Sequence, residues 1–187
     1  VERVGDAAVR GERSGARLAR LRGGDRLGGA HHLERVGGVD RAAVGRDVVR
    51  SLAVRTEESA FLSVRRGDET VCLLREEGSF PIRSFVLSEG VRFPLGVASA
   101  GIAILAFLPH HDVDAYLARH PEIEASWGPT HSPDRMRARL QETTARGYAV
   151  NPGLIVEGSW GMGAAVFDRE GHPQWALSLT GVEFRFS

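Results

Sequence analysis

The chain has 187 residues, and its 24 basic side chains, all arginine, balance 24 acidic ones to zero formal net charge. No global field therefore draws it to nucleic acid or to a membrane surface. A lone cysteine, Cys72, excludes an intrachain disulfide framework and fits a reducing cytoplasm. The opening residues lack the continuous apolar stretch of a signal peptide, and the longest apolar run, Val97–Pro109, is too short to span a bilayer.

Composition changes near residue 40. Val1–Val39 is rich in Arg, Gly and Val, has no Phe, Tyr, Trp, Ile or Met, and is interrupted by paired glycines. Such a segment buries little apolar surface against a large conformational entropy, which predicts a poorly ordered or loosely packed leader. A nucleic-acid-binding arm is the alternative, but acidic residues are interspersed and no aromatic side chain is present to stack on bases. Residues 40–187 form the second unit.

From Asp40 the pattern is orderly. Val44, Val48, Val49, Leu52 and Ala53 fall near helical spacing, predicting an amphipathic helix over Ala42–Thr56. Ser59–Arg66 and Glu69–Arg75 read as strands joined at Gly67-Asp68, a hairpin signal. Phe80–Leu87 reads as a third strand. Ala98–Phe107 reads as a buried helix whose small residues allow close backbone approach, and His111–Arg119 as a short helix stopped by His120-Pro121. Ser132 before Pro133 marks the start of a helix that runs to Arg146 and ends at Gly147. Strands follow at Tyr148–Val150, Ser159–Asp168 and Gln174–Gly181. The expected class is α+β, a mostly antiparallel sheet flanked by helices.

Motifs for catalysis are sparse. There is no P-loop, GxSxG, HExxH or CxxC. Cys72 lies among apolar neighbours with no activating partner in sequence, so a structural thiol is favoured over the nucleophile of a small hydrolase. His110-His111 and His31-His32 are adjacent pairs whose rings diverge, which makes them poor chelators. Asp112 and Asp114 serve a helix start, and Glu122 and Glu124 a solvated face. No acid–base pair or metal set assembles, and no cofactor is implied.

The tract Arg146–Gly181 carries more. Small and hydroxyl residues (Gly161, Gly163, Ser178, Thr180) stand where bulky core side chains are expected. Ser178 and Thr180, two apart on a strand, share one face. If that face is outward they are solvated; if inward, they need a bound carboxylate or water. Trp160 is equally a core residue or a cavity wall. A glycine-bulged hairpin without any ligand fits the same residues.

The segment Phe93–Pro109, FPLGVASAGIAILAFLP, resembles the PLHxxAxGKAxLA helix entry of IclR-type transcriptional regulators. Arg146-Gly147-Tyr148, the Gly-rich hairpin to Val166-Phe167-Asp168, and Leu177–Gly181 resemble the late motif of that family. The resemblance covers about Asp40 to Ser187 and implies a GAF-like effector-binding domain of a protein that forms dimers or tetramers on operator DNA. Its effector would be a small carboxylate, an organic or aromatic acid, and no membrane is involved. Carried over by position, Ile82 and Phe85 would line the pocket from the third strand. Phe93, Ser99 and Ala100 would line it at the helix entry, where backbone amides face an anion. Asn151 and Gly161 fall where some members place an acidic residue and a cysteine, beside Trp160. Ser178 and Thr180 match the hydroxyls that hold the carboxylate. Gly96 and Ile102 depart from the family's histidine and lysine, and the wider site would suit a more apolar acid. The family's winged helix–turn–helix is not matched by Val1–Val39, and the usual C-terminal helix after the last strand is lacking from 40–187. The rival reading is a GAF-like module that only dimerises.

Overall fold

The computed structural model describes residues 41–83 and 86–186. The expected leader, 1–39, lies outside the described residues, as does Phe85. The described elements run α1 (Arg41–Thr56), β1 (Ser59–Arg66), β2 (Glu69–Glu76), β3 (Arg92–Pro94), α2 (Ser99–Ala106), α3 (His110–Arg119) and α4 (Glu122–Trp127). A 3-10 turn (Pro129–His131), α5 (Pro133–Arg146), β4 (Ala149–Pro152), β5 (Ser159–Phe167), β6 (Pro173–Val182) and a second 3-10 turn (Glu183–Arg185) complete the order.

Six strands form one antiparallel sheet in the order β3-β2-β1-β6-β5-β4. The expected α+β class is what the chain adopts. The β1–β2 turn has two residues, with Gly67 at φ +60° in its first central place, as a type II′ turn requires. One ladder irregularity separates Leu62 opposite Leu74 from Ser63 opposite Cys72. The extra residue puts both Leu73 and Leu74 in the outer cluster and leaves Cys72 in the inner one.

Each face of the sheet has its own core. On the outer face, Val49 and Ala53 of α1 bury against Ala60, Leu62, Val64, Leu73 and Leu74. Val44 and Val48, from the same helix, stay half exposed. They border an open apolar groove with Leu62, Val166, Phe167, Trp175 and Leu177. On the inner face lies α2, SAGIAILA, whose residues from Ser99 to Leu105 are all buried. A helix apolar all round belongs inside a core. Burying Ile102, Ile104 and Leu105 stabilises the fold by about 1.5–3 kcal/mol each. Gly163 on β5 makes this docking possible: a Cβ there would lie 2.7 Å from the Ser99 carbonyl oxygen. Gly147, at φ +82°, ends α5 with its amide on the Thr143 carbonyl.

The expected third strand at Phe80–Leu87 is corrected. That run contains Pro81, which cannot donate to a ladder, and none of its described residues is in a strand. Val86 and Leu87 are buried all the same. Their apolarity reported burial, which an irregular segment supplies as well as a strand. The edge of β2 is paired instead by the three-residue β3, extended by Cys72 N–H donating to Val91 O and Gly90 N–H to Cys72 O. The Glu122/Glu124 stretch read as a solvated face is helix α4, which buries Ile123 between them.

The chain end is tied to the start of β1. Arg185 bonds the buried Glu58 carboxylate through Nε, donates to the Thr56 carbonyl at 3.0 Å, and lies over the Phe80 ring at 4.1 Å. Among the described residues no helix is long and apolar enough to cross a membrane.

Candidate functional site

The inner cavity lies between the start of α2 and the sheet. Antiparallel register places Ser59, Thr180, Gly161 and Asn151 opposite one another across β1, β6, β5 and β4. The next row is Phe61, Ser178, Gly163 and Ala149. Directly opposed residues share a face, so these rows form a floor with hydroxyls on one side and glycines in the middle. Above the glycines stands the first turn of α2. A Cβ at Gly161 would lie 3.1 Å from the Ser99 hydroxyl.

Phe93, Ser99, Ala100, Asn151, Trp160, Gly161, Ser178 and Thr180 border this cavity together. Sequence reasoning missed Val86, Leu87, Ala98, Ile155 and Ser159, which complete the lining. Their signal was weak: irregular segments have no periodicity, and a loop isoleucine looks like any other. Ile82 is not among the lining residues. It stands 53% exposed on the irregular segment that replaces the expected strand. Trp160 borders the cavity but is one residue out of phase with Gly161. Strand alternation turns its indole toward the other face, with its neighbour across the ladder at Gly181.

The polar groups are of two kinds. Ser178 and Thr180 are buried, and neither hydroxyl finds a partner among the described residues; the same holds for Ser59 beside Thr180. Asn151 is bonded at both ends: its Nδ2 donates to Val97 O at 2.8 Å and its Oδ1 accepts from Leu154 N–H at 3.0 Å. The start of α2 is capped by no side chain, with Ala98 in the capping place. The first-turn amides of a helix lack intrahelical partners and carry the positive end of its dipole. Among the described residues that line it, none is ionisable. Free volume inside is about 20 Å³, enough for roughly one water. The outer groove is larger, but it is apolar apart from Asp168, Arg169 and Glu170 at its hairpin end, and no set of buried donors converges on it.

Elsewhere the titratable groups serve structure. Burial pushes the Cys72 thiol up to about 12, so it is a core group and no nucleophile at neutral pH. His131 is buried between α4 and α5, and burial, aided by Arg139, pushes it down to about 4. His110 and His111 are exposed at the start of α3. His120 bridges Asp68 at 2.8 Å and Glu122 at 2.7 Å; those carboxylates outweigh desolvation and raise its pKa. Among the described residues no cluster of His, Cys, Asp and Glu could hold a metal.

Residues 35–187 match the family model described as the bacterial transcriptional regulator IclR C-terminal domain. The chain belongs to the IclR family. It is 25% identical over 149 residues to the HTH-type transcriptional regulator KipR of Bacillus subtilis, covering 80% of this chain and 59% of that protein. It is 30% identical over 160 residues to the HTH-type transcriptional regulator BhcR of Paracoccus denitrificans, covering 85% and 56%. The chain thus spans just over half the length of these IclR-family relatives. Thermotoga maritima IclR superposes with a TM-score of 0.68 at 27% identity, over 85% of this chain and 63% of that one. An IclR-family regulator from Brucella abortus, at 18% identity and a TM-score of 0.66 over 89% and 59%, shows the shared fold.

Proposed function

We propose that this domain senses a small organic acid for an IclR-type transcriptional regulator, binding it between α2 and the sheet. The observation that carries the reading is the pair of buried hydroxyls, Ser178 Oγ and Thr180 Oγ1, that no atom of the described residues satisfies. Buried polar groups are nearly always paired, and each exception calls for an explanation. A ligand carboxylate supplies it, accepting from both hydroxyls while facing the uncapped amides at the start of α2.

The lining also supports a class. Among the described residues no cation borders the cavity, so a carboxylate there would be held through neutral donors. A second carboxylate would be buried without a partner, at a cost of several kcal/mol. Phe93, Val86, Leu87 and Ile155 offer an apolar wall for the rest of the molecule, which suits an aliphatic or aromatic monocarboxylate. Trp160 contributes backbone to this wall. Occupancy acts on the regulator by differential affinity: the effector favours one dimer or tetramer geometry and so shifts operator binding. No chemistry is performed on the ligand.

A thermal-shift series with benzoate, phenylacetate and hexanoate, against succinate as the dianion, tests the reading. Stabilisation by a monocarboxylate is expected, with its loss in the Ser178→Ala/Thr180→Val double variant. An undiminished response in that variant overturns the site. No response to any carboxylate overturns the sensing role in favour of a module that only pairs with another copy.

A further inference from the structure

A carboxylate between α2 and the sheet satisfies Ser178 and Thr180 and leaves a third inner-face hydroxyl, Ser59 Oγ. Ser59 is 2% exposed, and its hydroxyl has no partner among the described residues. Solvent therefore does not reach it, and a buried hydroxyl left without a bond carries its full desolvation penalty. Register sets Ser59 directly opposite Thr180, and opposed residues share a face, so both hydroxyls stand on the inner side of the sheet. Glu58, one residue earlier, meets Gly181 and Arg185 instead. The row across the strands runs Ser59, Thr180, Gly161, Asn151. The last three border the cavity and Ser59 does not. It stands behind Thr180, one strand farther from the ligand.

This neighbour makes the two ligand-facing hydroxyls unequal. Ser178 lies opposite Phe61 on one side and Gly163 on the other, neither with a side-chain polar group. Thr180 has Ser59. A hydroxyl donates one proton and accepts through its lone pairs, so Thr180, once it donates to a carboxylate, still has an oxygen able to accept. Opposed Cβ atoms are about 4.5–5.5 Å apart, a separation that one χ1 rotation of a serine closes to hydrogen-bond length. We propose that Ser59 is a positioning residue of the acid site, turning on ligand binding to donate to Thr180 Oγ1, so that the two hydroxyls act in series on the carboxylate. The bond belongs to the occupied state. A hydroxyl already donating to an anion is polarised and accepts more strongly, whereas in the empty protein the same bond would join two neutral groups and gain less. Ser59 thus never touches the ligand. It makes Thr180 the stronger of the two donors. This rests on the acid-binding reading.

A double-mutant cycle in benzoate affinity, read by calorimetry on the whole chain, tests the series arrangement. Ser59→Ala should raise the benzoate Kd about three- to tenfold in the parent and in Ser178→Ala, but leave it nearly unchanged in Thr180→Val, where no hydroxyl remains to accept. The ligand-free urea midpoint of Ser59→Ala should not fall, because the empty protein loses no bond. The Ser59 χ1 rotamer, from Hα–Hβ couplings in NMR, should change when benzoate binds, a readout that stands even where Thr180→Val binds too weakly to measure. An equal loss of affinity with and without the Thr180 hydroxyl overturns the proposal, as does an unchanged Kd, an unchanged rotamer or a lowered urea midpoint. Failure of the acid-binding reading is distinct. It shows as no benzoate binding at all, or as a Kd that Thr180→Val by itself does not move, whereas a Kd raised by Thr180→Val and indifferent to Ser59→Ala removes only the role of Ser59.

Discussion

Replacing the two cavity hydroxyls should make the ligand-free domain more stable while abolishing its response to ligand. Ser178 and Thr180 are buried, and their hydroxyls have no partner among the described residues. An unsatisfied buried polar group costs about 1–3 kcal/mol, whereas an apolar group of the same shape carries no such cost. Ser178→Ala removes one oxygen, and Thr180→Val keeps the volume of the side chain it replaces. Taking the low end, each change is expected to add about 1 kcal/mol to the empty protein. The sum for the double variant falls somewhat short of additive because the two sites share a face. For a domain of this size that is a rise of about 2–4 °C per kcal/mol. Against this, a ligand at 100 times its Kd stabilises the parent by about 2.7 kcal/mol and the double variant not at all. Urea unfolding and calorimetry of both proteins, with and without benzoate, read both numbers. Destabilisation of the empty double variant by more than about 1 kcal/mol would refute the reasoning. It would show that the hydroxyls are satisfied within the fold and that the site has no vacant donors to offer.

Two glycines on β5 separate packing from binding. Gly163→Ala puts a Cβ 2.7 Å from the Ser99 carbonyl oxygen and should cost about 1–3 kcal/mol by forcing the helix off the sheet, measured as a lowered urea midpoint. Gly161→Ala meets the Ser99 hydroxyl at 3.1 Å, so it should fold with a change under about 1 kcal/mol yet lose the benzoate shift as the cavity fills. His131, neutral in the fold down to about pH 4, protonates near its ordinary value when unfolded, so the unfolded chain binds more protons between those values. Stability should therefore fall as pH drops from about 6.5 to 4, by up to roughly 3 kcal/mol, and His131→Leu should flatten that part of the pH profile. His120 works the other way: its raised pKa gives a bond to Asp68 that is complete below its unfolded pKa and lost as pH climbs through the folded one. His120→Gln should remove that alkaline decline, seen in Tm measured from pH 6 to 9.

Periodicity and punctuation were enough to find most elements. The hairpin about Gly67, the helix between Pro133 and Gly147, and the strands Ser59–Arg66 and Ser159–Phe167 follow from residue order, because side-chain spacing and left-handed turns are local physics. The shared face of Ser178 and Thr180 was legible for the same reason. Whether that face turned inward was not, since a strand's period is identical in either orientation. Docking of α2 on the inner face decided it. That docking also divided the glycines: Gly163 is the contact that brings the helix down, while Gly161 opens the space beside it. Asn151 read as a pocket residue and borders the cavity, while its amide also bonds Val97 O and Leu154 N–H, and the bond to Val97, 54 positions away, is invisible along the chain. Sequence alone determined the elements and the chemical character of each strand face. Only tertiary packing decided which face was buried and which hydroxyls were left without partners among the described residues, because each of those depends on groups brought together from distant parts of the chain.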